Sequence, residues 1–225
     1  MVSGGRRDGP GDDHRLIHAV KSADMNRPLA HRAAKLITDA LAPWVVIIIV
    51  CGLVAADATG TIGGTLLWGS VTAAFTSVIP MGIIAWGIRR GRISDVHVKH
   101  RSQRIRPLIA IMASATVGLV IMWLASAPTT VMALNWTLVT GVLTTGAITM
   151  IWKISFHTAV STATAMIIGV LFGWWWIPPA MLAVAAIGWS RVRLGDHTVA
   201  QVLVGAAWGA AIGLAVFGLT VGVSA

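Results

Sequence analysis

Residues 62 to 88 read Ile62-Gly-Gly-Thr-Leu-Leu-Trp-Gly-Ser-Val-Thr-Ala-Ala-Phe-Thr-Ser-Val-Ile-Pro-Met-Gly-Ile-Ile-Ala-Trp-Gly-Ile88, without one charged side chain. A helix rises about 1.5 Å per residue, and roughly 20 apolar residues cross the hydrocarbon core of a bilayer, so this run is long enough to span one. Arg89, Arg90 and Arg92 stop it. Six more apolar runs flank it, at Leu36 to Ala56, Pro107 to Ser126, Thr130 to Trp152, Thr158 to Trp176, Pro178 to Trp189 and Thr198 to Val221. The run from Pro178 is short for a crossing; it either continues through Leu194 or is tilted and covered by its neighbours.

Hydrophobic residues make up 56% of the 225 and charged ones 11%, more apolar surface than a soluble core of this length hides. The expected fold class is therefore all-α: a polytopic membrane helix bundle of six or seven transmembrane helices. Residues 1 to 32 form a polar, partly disordered N-terminal segment without the early apolar run of a cleavable signal; residues 33 to 225 form one membrane-embedded domain. The lone Cys51 makes no intrachain disulfide. Gly205, Gly209 and Gly213, four residues apart with Ala206 and Ala210 beside them, predict a helix face that a neighbour approaches closely.

The formal charge of +9 suggests nucleic acid only until the 17 Lys and Arg are placed. Seven precede the first run, seven lie between Arg89 and Arg106, and the other three are Lys153, Arg191 and Arg193. If the runs pair as hairpins, all of these share one face, while the connections at Thr59 to Thr61, Ala127 to Thr129 and Ile177-Pro178 carry none. The positive-inside rule makes the basic face cytoplasmic in a cell membrane, and phosphate binding accounts for part of the charge. Nucleic acid is not expected as a partner; membrane lipids are. Trp174-Trp175-Trp176 then falls at the outer interface, where indoles collect.

Three polar clusters sit on the basic face. Ser190-Arg-Val-Arg-Leu-Gly-Asp-His-Thr-Val-Ala-Gln201 places a serine, two arginines, an aspartate and a histidine between apolar runs. Ionisable groups at a membrane edge need a reason. Guanidinium grips phosphate through paired hydrogen bonds, and histidine serves as nucleophile or proton carrier, so a phosphate ester suits both. The others are Lys99-His-Arg-Ser-Gln-Arg-Ile-Arg106-Pro107 and Lys153-Ile-Ser155-Phe156-His157-Thr158. Taken singly, the first of these reads as a topology signal or headgroup contact and the second as a satisfied helix start.

In order and internal spacing the three resemble the signature motifs of the type 2 phosphatidic acid phosphatase family, which reads Lys, six residues, Arg-Pro; then Pro-Ser-Gly-His; then Ser-Arg, five residues, His, three residues, Asp. Lys99, Arg106 and Pro107 match the first; Ser155 and His157 the second, with Ile154 and Phe156 for its proline and glycine; Ser190, Arg191 and His197 the third, with Gln201 where the aspartate stands. The resemblance runs from Lys99 to Gln201. It implies an integral membrane phosphatase acting on a phospholipid or isoprenyl phosphate or diphosphate. Lys99, Arg106 and Arg191 would hold phosphate oxygens, with Ser155, the Phe156 amide and Ser190 completing the pocket. His197 would attack phosphorus to give a phosphohistidine, and His157 would protonate the leaving oxygen. The resemblance implies no metal or other cofactor.

The departures carry their own expectations. Gln201 offers an amide oxygen one helical turn from His197 but no charge, so the expected phosphatase is slow or narrowly specialised, or relies on another carboxylate brought in by folding; the alternative is a phosphate-lipid-binding protein that has lost turnover. Phe156 adds bulk beside the phosphate pocket, and Asp196 competes for an arginine. A transporter fits poorly, because most runs lack a midplane charge, and nothing points to haloperoxidase chemistry.

Overall fold

The computed structural model describes residues 28–90 and 105–224, and among these it is all-helical. Eight helices follow in order: α1 (Leu29–Ala40), α2 (Pro43–Thr59), α3 (Ile62–Arg89), α4 (Ile105–Leu124), α5 (Thr129–Ile151), α6 (Phe156–Phe172), α7 (Ile177–Arg193) and α8 (Val199–Gly222). By length and composition α3, α5 and α8 each suffice to cross a membrane, and α1 with α2 would make a fourth crossing if that bent pair is one span. This is compatible with a multi-pass membrane protein.

The first apolar run is not the single helix expected over Leu36 to Ala56. Pro43 disfavours helical backbone at the residue before it, and Ala42 is accordingly extended (ψ 148°), so α1 and α2 meet at 45°. α1 turns Ala34 and Thr38 inward and leaves Arg32, Lys35, Leu36 and Asp39 exposed, with Lys35 and Asp39 paired at 2.6 Å. In α3 the proline is absorbed differently. Pro80 has no N–H to give, and the turn Ala74–Val78 widens to π geometry, with the amide of Ile79 reaching Ala74. The short sixth run does extend past Trp189, as α7, to Arg193.

Gly60, at φ 62°, closes α2 by giving its amide to Ala56, and Gly173, at φ 102°, ends α6 and turns the chain into a 3-10 turn over Trp174–Trp176. Both backbone conformations favour glycine. The three indoles of that turn are exposed, as a membrane interface would leave them. Val50 and Val54 of α2, Met122 of α4, Leu134 of α5, Ile167 of α6 and Phe217 of α8 form the core. Ala58, Ala127 and Leu171, beside the turns that follow α2, α4 and α6, pack on this one cluster, so those turns share an end. Neither they nor their immediate flanks carry Lys or Arg, whereas Arg89, Arg90, Lys153, Arg191 and Arg193 lie at the other end, with α1 packed against α7.

α6 occupies the middle, packed by α2, α7 and α8, and ten of its residues are buried. Its approach to α8 is close. A Cβ at Gly205 would lie 2.7 Å from the Ser155 carbonyl oxygen, one at Gly209 2.0 Å from that of Ala159, and one at Gly213 2.9 Å from that of Ala163. The glycine ladder is therefore a helix contact, as its spacing predicts, and it sets the depth at which the N-terminus of α6 meets that of α8.

Candidate functional site

The second and third clusters converge where α6 and α8 begin. Ser155 caps α6, its hydroxyl accepting from the Thr158 amide at 3.5 Å, and its own amide donates to the Gln201 carbonyl at 3.3 Å. Thr158 adds a hydroxyl bond to Val202 at 3.1 Å. Lys153, just past α5, donates to the carbonyl of Asp196 in the loop between α7 and α8. His157, in the first turn of α6, is buried, and Phe156 beside it is half-buried. The first-turn amides of α6 have no carbonyl four residues back, and its positive dipole end points the same way, which suits an anion.

His197 is held by Gln201, and the geometry fixes its tautomer. The Gln201 side chain closes a capping box: the Thr198 hydroxyl accepts from the Gln201 amide at 3.3 Å, and the Gln201 Oε1 accepts from the Thr198 amide at 3.2 Å. A backbone N–H only donates, so the atom facing it is the oxygen. The same Oε1 lies 3.1 Å from His197 Nδ1. Nδ1 therefore carries the proton, and in the neutral ring Nε2 keeps the free electron pair. The Thr-x-x-Gln spacing of Thr198 and Gln201 is a readable capping signal, but reading Gln201 only against the expected aspartate hides its second role.

Arg191 is buried to 3% exposure and pairs with Asp196 at 3.1 Å, the competition expected from the sequence. Burial first, then the cations of Lys153 and Arg191, pull the His197 imidazole down from 6.5 to about 4, against upward pushes from Gln201 and Asp196. The ring is neutral at pH 7. Unfolded, it takes up a proton near 6.5; folded, only near 4. Between those values the unfolded chain binds the extra proton, so this group's contribution to stability falls as pH falls from 6.5 to 4 and is flat above 6.5. Thermal unfolding in detergent should show that slope, and His197→Gln should flatten it.

Ser190, matched to the phosphate pocket, lies fully buried in α7; its hydroxyl donates to the Ile187 carbonyl at 2.7 Å and meets the Thr38 hydroxyl of α1 at 2.8 Å. This tie of α7 to α1 had no sequence signal. Lys99 lies outside the described residues. Arg106 falls in the first turn of α4, its side chain outside them too. α4 packs along α5, with Leu108 so close that a Cβ on Gly146 would lie 3.2 Å from its Cδ2, which brings the start of α4 to the end of α5 from which Lys153 follows. The two spans of chain separating the first and second clusters thus form a hairpin that returns to the same end.

The fold and these clusters define a multi-helix protein with several helices long and apolar enough to cross a membrane and a cationic, histidine-bearing cluster at one end of its bundle. No family model, curated protein or solved structure matches the chain.

Proposed function

We propose that the protein is an integral membrane lipid phosphatase whose six or seven crossings gather the site at the cytoplasmic face of the cell membrane. The observation that carries this reading is His197: neutral, its Nδ1 proton held by Gln201, its Nε2 pair free, and two cations beside it. Nε2 attacks phosphorus, the bond from phosphorus to the lipid oxygen breaks, and the leaving oxygen takes its proton from His157. Water then hydrolyses the phosphohistidine, returning His197. Arg191, Lys99 and Arg106 hold the phosphate oxygens, joined by the Phe156 amide at the start of α6, so that the charge of the transferring group meets fixed donors. Substrate phosphate has to displace Asp196 from Arg191.

A second reading rests on Gln201 and Asp196. An uncharged amide cannot stabilise an imidazolium, and a carboxylate already occupies Arg191. A protein that binds phosphate lipids without turning them over has both features.

The test is phosphate release by purified protein in detergent from phosphatidic acid, an isoprenyl monophosphate and an isoprenyl diphosphate. We expect release from at least one, with an acid-labile phosphoenzyme trapped on quenching. Folded protein that binds these lipids and releases nothing overturns the phosphatase in favour of the binding protein.

A further inference from the structure

A cavity of about 50 Å³ lies between α2, α5, α6 and α8. Its wall on α6 includes Phe156, Ala159, Ala163 and Ile167, whose spacing of three, four and four residues puts them on one face. Eleven residues separate the first from the last, about 16 Å along a helix. Gly141 of α5 and Trp208 of α8 face this stripe. Phe156 is the residue between Ser155 and His157, so the cavity begins within one residue of the candidate phosphate site and runs toward the middle of the bundle. Its lining is almost wholly apolar, which suits an apolar guest, and it has room for about four water-sized groups. That is room for about four methylene groups, the first carbons of one hydrocarbon chain. The glycerol of a diacyl lipid would bring two chains to the same opening.

Resting on the phosphatase reading above, we infer that this cavity receives the head-proximal carbons of the substrate, and that the substrate is a lipid phosphate with a single hydrocarbon chain attached directly to the phosphate. Phe156, where the family pattern has glycine, becomes the start of the chain's path, and its ring packs the first carbons after the ester oxygen.

Gly141→Val tests this. A Cβ there meets nothing nearer than Ile212 Cγ2 at 3.7 Å, an ordinary contact, and Gly141 lines the cavity, so the valine methyls have that space to enter. Farnesyl phosphate and dodecyl phosphate, which separate a branched isoprenyl chain from a plain alkyl one, are compared with dioleoyl phosphatidic acid and with tail-less glycerol 3-phosphate. The wild type should favour whichever single-chain ester fits over the diacyl lipid by about tenfold or more in kcat/KM. Gly141→Val should lose about tenfold on that ester, chiefly through KM, and stay within about twofold on glycerol 3-phosphate. Equal losses on both, no loss on either, or a preference for the diacyl lipid overturns the inference. If the wild type hydrolyses none of the four and no isoprenyl diphosphate either, the phosphatase reading fails by itself, and heat stabilisation decides the cavity. Farnesyl or dodecyl phosphate should raise the melting temperature of the wild type and not that of Gly141→Val; no shift in the wild type, or equal shifts in both, refutes it.

Discussion

On the phosphatase reading, His197→Ala should slow phosphate release by about 10³-fold or more while leaving the melting temperature at pH 8 nearly unchanged, because the half-buried ring lies in the connecting loop and not in the hydrophobic core. The size follows from what is removed: on that reading His197 is the nucleophile, and what remains is binding and charge neutralisation. Lipid phosphate should still bind. Gln201→Glu is the informative companion. Glutamate keeps an oxygen for both His197 Nδ1 and the Thr198 amide, so the capping box and the tautomer survive while a negative charge is added beside the ring. The charge should lift the imidazole from about 4 toward its ordinary range and move the acid limb of the rate profile to higher pH with it. Above that limb the rate should rise, by about tenfold or more, given that exchanging carboxylate for amide in hydrolase triads costs about 10⁴. A variant no faster than wild type at any pH would mean that the missing charge does not limit the enzyme.

The legible parts of this molecule were those in which one-dimensional spacing decides three-dimensional neighbours. Apolar run lengths located the helices from α3 onward to within a few residues, and the four-residue glycine period marked the face of α8 that a neighbour approaches closely, without naming α6 as that neighbour. The break between α1 and α2 was missed because hydropathy runs unbroken across Leu41 to Trp44 while Pro43 acts on backbone angles. Reading the residue before proline as extended would have found it. At the candidate site, Ser155, His157, His197 and Gln201 could be nominated from the motif resemblance, and the His197 to Gln201 contact follows from a separation of one turn. The engagement of Ser190 with Thr38 could not be read, since its partner lies 152 positions away on a helix whose packing nothing local specifies. The Asp196 to Arg191 pair was legible as a competition; its burial was not.

Gly209→Ala should destabilise the protein by about 2 kcal/mol or more, the reverse of what the same exchange does in an uncrowded helix. Glycine inside a helix is worth about 1 kcal/mol less than alanine, so propensity alone predicts a gain. At Gly209 the added carbon would fall 2.0 Å from the Ala159 carbonyl oxygen and 2.9 Å from its Cα. These are backbone atoms of the central helix, which no side-chain rotation relieves, so α6 and α8 must part by more than 1 Å. Gly82→Ala is the control: it is exposed on α3 with nothing within 4 Å of the new carbon, and it should be neutral or stabilising. Thermal unfolding of the two variants in one detergent reads the sign of each. Parting the helices also strains the bond from the Ser155 amide to the Gln201 carbonyl, already 3.3 Å long, which joins the start of α6 to the turn that holds His197. Phosphate release should therefore fall in Gly209→Ala even well below its melting temperature and stay unchanged in Gly82→Ala. A Gly209→Ala protein as stable and as active as wild type would show that the close approach of α6 and α8 neither holds the bundle nor positions the site.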